Sequence, residues 1–423
     1  MRLAGLAARP GGRPTFEPAL LRIEFTRPLE GDVWRSDLDD GWTAGDGLGI
    51  RFESGFRTPL GKVAVVRARF RATAGAGVAD RTRLLEGGVW GETGPFAWAV
   101  GRQRFFWSPS TETSLLLSNN APPLDAVSAG SRGGWRIPGG LGTFRGKTFL
   151  AYLDDEHRTI PYPLLWGAQI AWQPAPSVRL EIRRTALFGG AGRTSRLTPR
   201  DVVNILLGLH ENDPAPTRGP GDSDQLLSYA LRWRWPLPGS ARLWLYQYGL
   251  RDLEVFYEYA GEDGIRRGFP TAVGRNVGLR ADVLGWEIYG AYALNPVEKN
   301  RWYEHVVYRT GYRYRGWILG HPGGGDMRWI RGRFGRPWLA LTGISLEGTW
   351  EEGGVYDEPK WEAFRTTGRI WKTPMPGIRL ELEAAAAWGS ASEGRLPERF
   401  PRFSLHLSAI LGDVVPFAGG FDE

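Results

Sequence analysis

Strict alternation sustained for longer than a soluble strand needs is the feature that most limits how this chain can fold. In SVRLEIRRTAL, Val178, Leu180 and Ile182 fall on one face and Arg179, Glu181 and Arg183 on the other, because successive strand side chains point to opposite sides. GIRLELEAAAAW sets Ile378, Leu380, Leu382, Ala384, Ala386 and Trp388 opposite Arg379, Glu381 and Glu383. LLSYALRWRW and VVRARFRA repeat the pattern, with Arg232 and Arg234, then Arg67, Arg69 and Arg71, on the polar side. Strands of a soluble sandwich run about five or six residues and bury an aliphatic face. Runs of roughly ten are what a tilted barrel strand needs to cross a bilayer, with aromatic residues near its ends for the two interfaces. The reading is a large antiparallel transmembrane β-barrel, with a soluble sandwich or a propeller as the alternative.

Composition agrees. Twenty tryptophans and 59 glycines with three methionines describe an all-β, turn-rich chain. The absence of cysteine excludes disulfides and thiolate metal sites. The net charge of +7 is a small excess of 53 bases over 46 acids, better suited to a self-neutralising polar interior or surface than to a nucleic-acid patch. The longest uncharged stretch, 159–178, contains Pro161, Pro163, Pro174 and Pro176 and cannot be a membrane-spanning helix. The opening MRLAGLAARPGGRP breaks its apolar run at Arg9 and Pro10, too early for a signal peptide; the strands nevertheless argue for export.

Four links share one form. FRTPLGK, WQPAPSVR, WPLPGSAR and WKTPMPGIR each carry a proline turn and then a base that opens the next strand, and proline belongs where strand pairing stops. Longer segments lie between them, at 188–225, 260–272, 294–304, 349–358 and 389–399. Short turns at one end and long loops at the other are the asymmetry of outer-membrane barrels, with the short turns periplasmic. Counting strands from 48–57 to 400–411, with 305–314 and 316–320 among them, gives about eighteen. The expected organisation is a periplasmic segment 1–47, a barrel 48–411 and a tail 412–423. Within the barrel, 108–143 is a plug-like segment at the short-turn, periplasmic end, and 188–225 is a long extracellular loop. One helix is expected, in TPRDVVNILLGLHEN: Thr198 caps, Pro199 takes the first position, and Val202, Ile205, Leu206 and Leu209 form a stripe that packs as a lid into the barrel mouth.

Four stretches in order carry a family likeness: LDDGWTAGDGLGIRFESGF; WSPSTETSLLLSNNAPP, with Trp107, Ser118, Asn119, Asn120 and Pro122; GDSDQLLSYALRWRWP; and YRTGYRYRGWILGHPGGGDMR. Over 40–411 the chain resembles the Wzi-type capsule-assembly proteins of Gram-negative outer membranes. The resemblance implies a monomeric outer-membrane barrel that acts as a lectin, holds capsular polysaccharide at the cell surface and does no catalysis. Family members carry a helical segment before the barrel, where this chain has residues 1–47, and a glycine turn after the position of Trp107, where it has Ser108 and Ser110.

The residues can also be weighed for chemistry. The five histidines, His157, His210, His305, His321 and His406, show no ligand spacing, so neither a metal nor another cofactor is expected. Ser114 and Ser118 lack a nucleophile elbow and a nearby base. DDEHR at 154–158 reads as a charged turn, although a barrel hydrolase would use such a group. Glycans are held by aromatic faces, and acidic sugars by arginine forks. The outer segments supply Arg193, Arg196, Arg200, Arg266, Arg267, Trp302, Tyr303, Trp350 and Tyr356 for an acidic capsular or exopolysaccharide. The same aromatics would serve as interfacial girdles, and the same arginines would meet anionic lipid and lipopolysaccharide headgroups. An anion-leaning diffusion channel is the competing function, because Arg67, Arg69, Arg71, Arg179 and Arg183 line the polar face.

Overall fold

The computed structural model describes residues 14–29, 33–35, 38–75, 82–110, 112–193, 197–208, 222–235, 249–262, 272–295, 302–338, 342–355, 359–392, 396–397 and 400–412. Its strands are β1 (Thr15–Pro28), β2 (Val33–Arg35), β3 (Thr43–Gly45), β4 (Gly47–Leu60), β5 (Ala64–Gly75), β6 (Thr82–Thr93), β7 (Phe96–Gln103), β8 (Leu124–Ser131), β9 (Trp135–Arg136), β10 (Thr143–Tyr152), β11 (Leu164–Ala175) and β12 (Val178–Phe188). Helix α1 (Pro199–Leu207) follows, and then β13 (Asp224–Arg234), β14 (Leu250–Glu262), β15 (Ala272–Val283), β16 (Trp286–Asn295), β17 (Arg313–Tyr314), β18 (Trp317–Ile318), β19 (Met327–Trp338), β20 (Thr342–Gly353), β21 (Trp361–Met375), β22 (Ile378–Ala391) and β23 (Pro401–Leu411). Eighteen antiparallel wall strands close into a barrel: β1, β4 to β7, β8 continued by β9, β10 to β16, and β19 to β23. Closure runs through β1, which pairs with β23 on one side and β4 on the other.

The alternation sorts the two faces. Leu150, Ile170, Ile182 and Leu346 stand exposed on the outer wall, while charged residues turn into the lumen and pair across strands: Arg67 with Glu17 at 2.5 Å and Glu86 at 2.7 Å, and Arg331 with Glu347 at 2.7 Å. A charge inside the barrel is tolerable only with such a partner. Outward aromatics gather into two belts, as the interfaces require. At the short-turn end Trp135 contacts Phe96 and Phe144, and Trp286 stacks on Phe334 at 4.1 Å. At the other end Phe364 stacks on Trp388 at 5.9 Å. This is the architecture of an outer-membrane barrel.

The number of strands and their antiparallel order agree with the sequence reading, but two of the expected strands are not in the wall and two unexpected ones are, which changes the pairing around them. Residues 305–314 and 316–320 are not wall strands; β17 and β18 form a small hairpin folded inward. Two wall strands instead come from segments assigned elsewhere. Strand β1 lies within the expected leading segment 1–47, and β8 within the expected plug 108–143. In β8 the outward face is Asp125, Val127, Ala129 and Ser131, with only two small apolar side chains, too weak a signal to stand out, whereas tyrosines in YRTGYRYRGW mimic alternation. The extra strand at the start reverses the direction of the first strands. Residues 104–123 therefore leave the barrel at the end that carries the long connections, and only 132–142 belong to the short-turn end.

Helix α1 forms as read. Thr198 and Asp201 make a reciprocal capping box and Gly208 closes it in the left-handed region. Its position differs. Ile205 packs against Leu164, Trp166, Ala186 and Phe188, which lie on the outer wall of β11 and β12, so the helix is not a lid in the mouth.

Candidate functional site: a plugged outer mouth

The segment after β7 folds into the lumen because its apolar residues have no lipid to meet there. Phe105 stacks on Phe149 at 4.0 Å, Trp107 meets the same ring at 5.4 Å, and Leu115, Leu116 and Leu117 are fully buried. Its irregular backbone is satisfied by side chains. Leu115 N–H donates to Glu258 at 3.0 Å, and Arg183 donates to the Trp107 carbonyl at 2.6 Å and to Glu258 at 3.1 Å. Glu112 then pairs with Arg333 of β19 at 2.7 Å and Arg331 at 3.5 Å. Strand β19 is nine strands from β7 in either direction round the ring. The segment thus spans the full lumen.

A second arm, 302–326, returns from that far wall. Tyr303, Tyr308, Tyr312, Tyr314 and Trp317 are buried in it, with Tyr303 N–H on Glu262 at 2.8 Å and Tyr312 hydroxyl on Thr185 at 3.0 Å. Burial raises the phenol pKa of Tyr303, Tyr308 and Tyr312, so these hydroxyls stay protonated and available as donors. The arms lock together: Ser118 N–H donates to Leu319 carbonyl at 2.8 Å, Ser118 hydroxyl to Gly320 carbonyl at 2.6 Å, and Asn120 to Ile318 carbonyl at 2.9 Å. Tyr303 hydroxyl donates to the Leu115 carbonyl. A third loop joins them through Asp40 N–H on Asn119 carbonyl at 2.7 Å and Asn119 on Leu38 carbonyl at 2.6 Å. Gly41, at φ +68°, leaves only 2.7 Å between a notional Cβ and Pro122, so neither its backbone nor its contact admits a side chain.

Charge fixes that third loop. Asp39 meets Arg51 at 2.5 Å and Arg71 at 2.9 Å; burial opposes its ionisation, but the two guanidinium groups outweigh it and hold the carboxyl well below the usual range. Asp40 is pushed up to about 6 by burial, against the pull of Arg104 and Arg71.

The outer face of this plug carries arginines. At the tip of the β17–β18 hairpin Arg315 lies over the Tyr314 ring at 5.4 Å and reaches Asp154 at 3.3 Å. Arg35 lies over Trp317 at 5.5 Å and donates to the Gly316 carbonyl. Arg313 stands close enough to Arg35 that, after burial, that charge also lowers its pKa. Beside them, connections 152–164 and 188–198 clasp through Ala191 N–H on Pro161 carbonyl at 2.7 Å. They enclose a cleft of about 380 Å³ lined by Tyr152, Tyr162, Leu164, Gly189, Gly190, Arg193 and Leu197. The Tyr152 and Tyr162 rings lie nearly parallel, 6.1 Å apart.

The residues expected from the sequence to touch glycan separate accordingly. Trp302 and Tyr303, 2% and 1% exposed, belong to the plug interior and present no face to a ligand. Trp350 is on the outer wall in the row Ile330, Trp350, Phe364, Trp388, which is a girdle position. Arg193 lines the cleft and Arg200 is exposed on the first turn of α1. Arg196, Arg266, Arg267 and Tyr356 lie outside the described residues. Trp107, Ser118, Asn119, Asn120 and Pro122 come together in the interlocked plug. Sequence reasoning missed Arg35, Arg313, Arg315, Tyr152 and Tyr162; the one signal for the last was a tyrosine between two prolines. Among the described residues no group of three or more histidines and carboxylates is placed to hold a metal. Ser114 and Ser118 hydroxyls both donate to backbone carbonyls, and Asp155 caps its own turn at His157 N–H.

A family model described as capsule assembly protein Wzi matches residues 36–334. The chain belongs to the Wzi family. Among solved structures this Wzi-family barrel is similar to Escherichia coli Wzi, described as an outer-membrane, carbohydrate-binding β-barrel involved in group 1 capsule assembly, with a TM-score of 0.69 at 13% identity over 94% of this chain and 84% of that one. Acinetobacter baumannii OccAB2 has a TM-score of 0.55 at 8% identity, covering 94% and 97%, and Pseudomonas aeruginosa OccD3 a TM-score of 0.55 at 9%, covering 97% and 93%. At these identities the structures show the shared barrel fold. No curated protein matches the sequence.

Proposed function

We propose that this Wzi-family barrel binds an acidic surface polysaccharide and retains it at the cell surface, working by adhesion rather than by catalysis or conduction. The carrying observation is the pair of interlocked arms that span the lumen and turn the mouth into a solid surface bearing Arg35, Arg313 and Arg315 beside aromatic rings. Arginine forks match carboxylates in geometry, and the buried rings of Tyr314 and Trp317 beneath Arg315 and Arg35 hold those guanidinium groups at the surface. The end with the long connections faces outward and the short turns face the periplasm, as in other outer-membrane barrels. The barrel acts as a monomer. The description of E. coli Wzi as a carbohydrate-binding barrel involved in capsule assembly supports the same reading.

Calorimetric titration of the detergent-solubilised barrel with capsular or exopolysaccharide tests it. The expected result is saturable binding that falls about tenfold for each of Arg313→Ala and Arg315→Ala, the loss of a charge-assisted hydrogen bond of about 1.5 kcal/mol. Binding that neither substitution changes, or no binding to any acidic glycan, would overturn the proposal.

A further inference from the structure

The Tyr152 cleft and helix α1 open onto the barrel's outer wall instead of its mouth. Tyr152 and Leu164 pair across β10 and β11, and Tyr152 shares its outward face with the exposed, lipid-facing Leu150, as Leu164 does with Ile170. Helix α1 rests on that wall through Ile205 and turns Val203, Leu206 and Leu207 away from the protein, 51%, 39% and 63% exposed. A short helix that lies along the wall beside the upper aromatic belt with an open apolar face is placed as an interfacial helix is placed. The helix packs on the row Leu164 and Phe188, which Tyr152 continues, and on Trp166 and Ala186 one row nearer the middle of the membrane; Arg193 follows five positions after the end of β12, its guanidinium 5.7 Å from the Tyr308 ring and donating to the Asp222 carbonyl.

From the wall outward along the chain, the apolar helix face and the tyrosine rings adjoin at the strand ends and the cation lies beyond them. That arrangement suits the acyl chain, sugar ring and phosphate of a glycolipid standing in a leaflet. Tyr162 adds an independent sign. It sits at φ +55° between Pro161 and Pro163, a conformation costly for a bulky residue and sustained only where its surroundings fix it. The fixing contacts are the Ala191 bond to Pro161 and Gly190, at φ +102°, where a notional Cβ would come within 2.5 Å of Ile160. The ring is held in place before any ligand arrives.

We propose that this cleft binds the phosphorylated sugar headgroup of an outer-leaflet glycolipid, with α1 resting on its acyl chains. The site is separate from the arginines of the mouth and stands whether or not they bind polysaccharide.

Native mass spectrometry of the full chain released from detergent micelles tests this, using an acylated, bis-phosphorylated glucosamine disaccharide as probe. Its dephosphorylated form and phosphatidylethanolamine serve as comparison lipids, and a lipid-free acidic polysaccharide as competitor. The wild type should retain one phosphorylated glycolipid in preference to either comparison lipid. Retention should drop about tenfold in Arg193→Ala and Tyr162→Ala and also fall in Leu207→Ser, while Arg313→Ala retains it fully. Mobility of the unheated protein in a gel reports folding, and Arg193→Ala and Leu207→Ser decide the matter if Tyr162→Ala does not fold. Equal retention of the phosphorylated and dephosphorylated lipids, or retention unaffected by Arg193→Ala, would overturn the proposal. Displacement of the lipid by the lipid-free polysaccharide would also overturn it, because the cleft would then be a polymer site.

Discussion

Asp39 and Asp40 are adjacent in the chain and opposite in chemistry. Asp39 is the counter-ion of two buried guanidinium groups, so Asp39→Asn leaves Arg51 and Arg71 short of charge and should loosen the plug by about 3–5 kcal/mol. Asp40, already easily protonated, should tolerate Asn within about 1 kcal/mol, since Asn also accepts its positive φ. Exchange of the Asp40 and Gly41 amides, which donate to the Asn119 and Asn120 carbonyls, measures both. The pH response follows with opposite signs. The raised pKa of Asp40 means its burial costs less as pH falls through about 6. The depressed pKa of Asp39 means its contribution is complete above the unfolded carboxylate value, about 4, and is lost only as pH falls below it. Protection should therefore hold or rise from pH 7 to 5 and fail under about pH 4. Nothing in LDDGW distinguished the two carboxylates, because which arginines they meet depends on how β4 and β5 face the lumen.

At the scale of elements, α1 shows how far local rules reach. The cap at Thr198 and the proline at its start were legible in TPRDVVNILL, whereas the reciprocal bond from Asp201 and the end at Gly208 came with the structure. Thr198→Ala should cost about 1 kcal/mol of helix stability, seen as faster amide exchange at Asp201 and Val202 with the barrel itself unmoved. Amphipathicity promised an apolar partner for Ile205 but could not say which. The plug and the outer wall are both apolar, and the connection from β12 leaves at the rim between them. The β17–β18 hairpin misled for a related reason. Buried aromatics alternate with arginines there as they do in a wall strand, and only the partner strand reveals whether the face behind them is lipid or plug.

At the scale of the whole molecule, the barrel is closed twice, once round its wall and once across its mouth. Conductance measured in planar bilayers should be absent for the intact protein and should appear when residues 108–118 are replaced by a short glycine-serine link, which removes the Glu112 and Leu115 anchors. A conducting wild type would count against the adhesive reading. The barrel class, a count of eighteen strands and the short-turn end of the strands from β10 onward were legible in the sequence alone, because period-two alternation, strand length and proline turns are local and lipid imposes them on every strand in the same way; which segments supply two of those strands was not. Where the plug sits, which arginines reach the surface and which wall receives α1 were decided only by the tertiary structure. One unrecognised strand reverses the direction of those after it, and contacts such as Ser118 to Gly320 or Glu112 to Arg333 join residues some two hundred positions apart, beyond the reach of any local pattern.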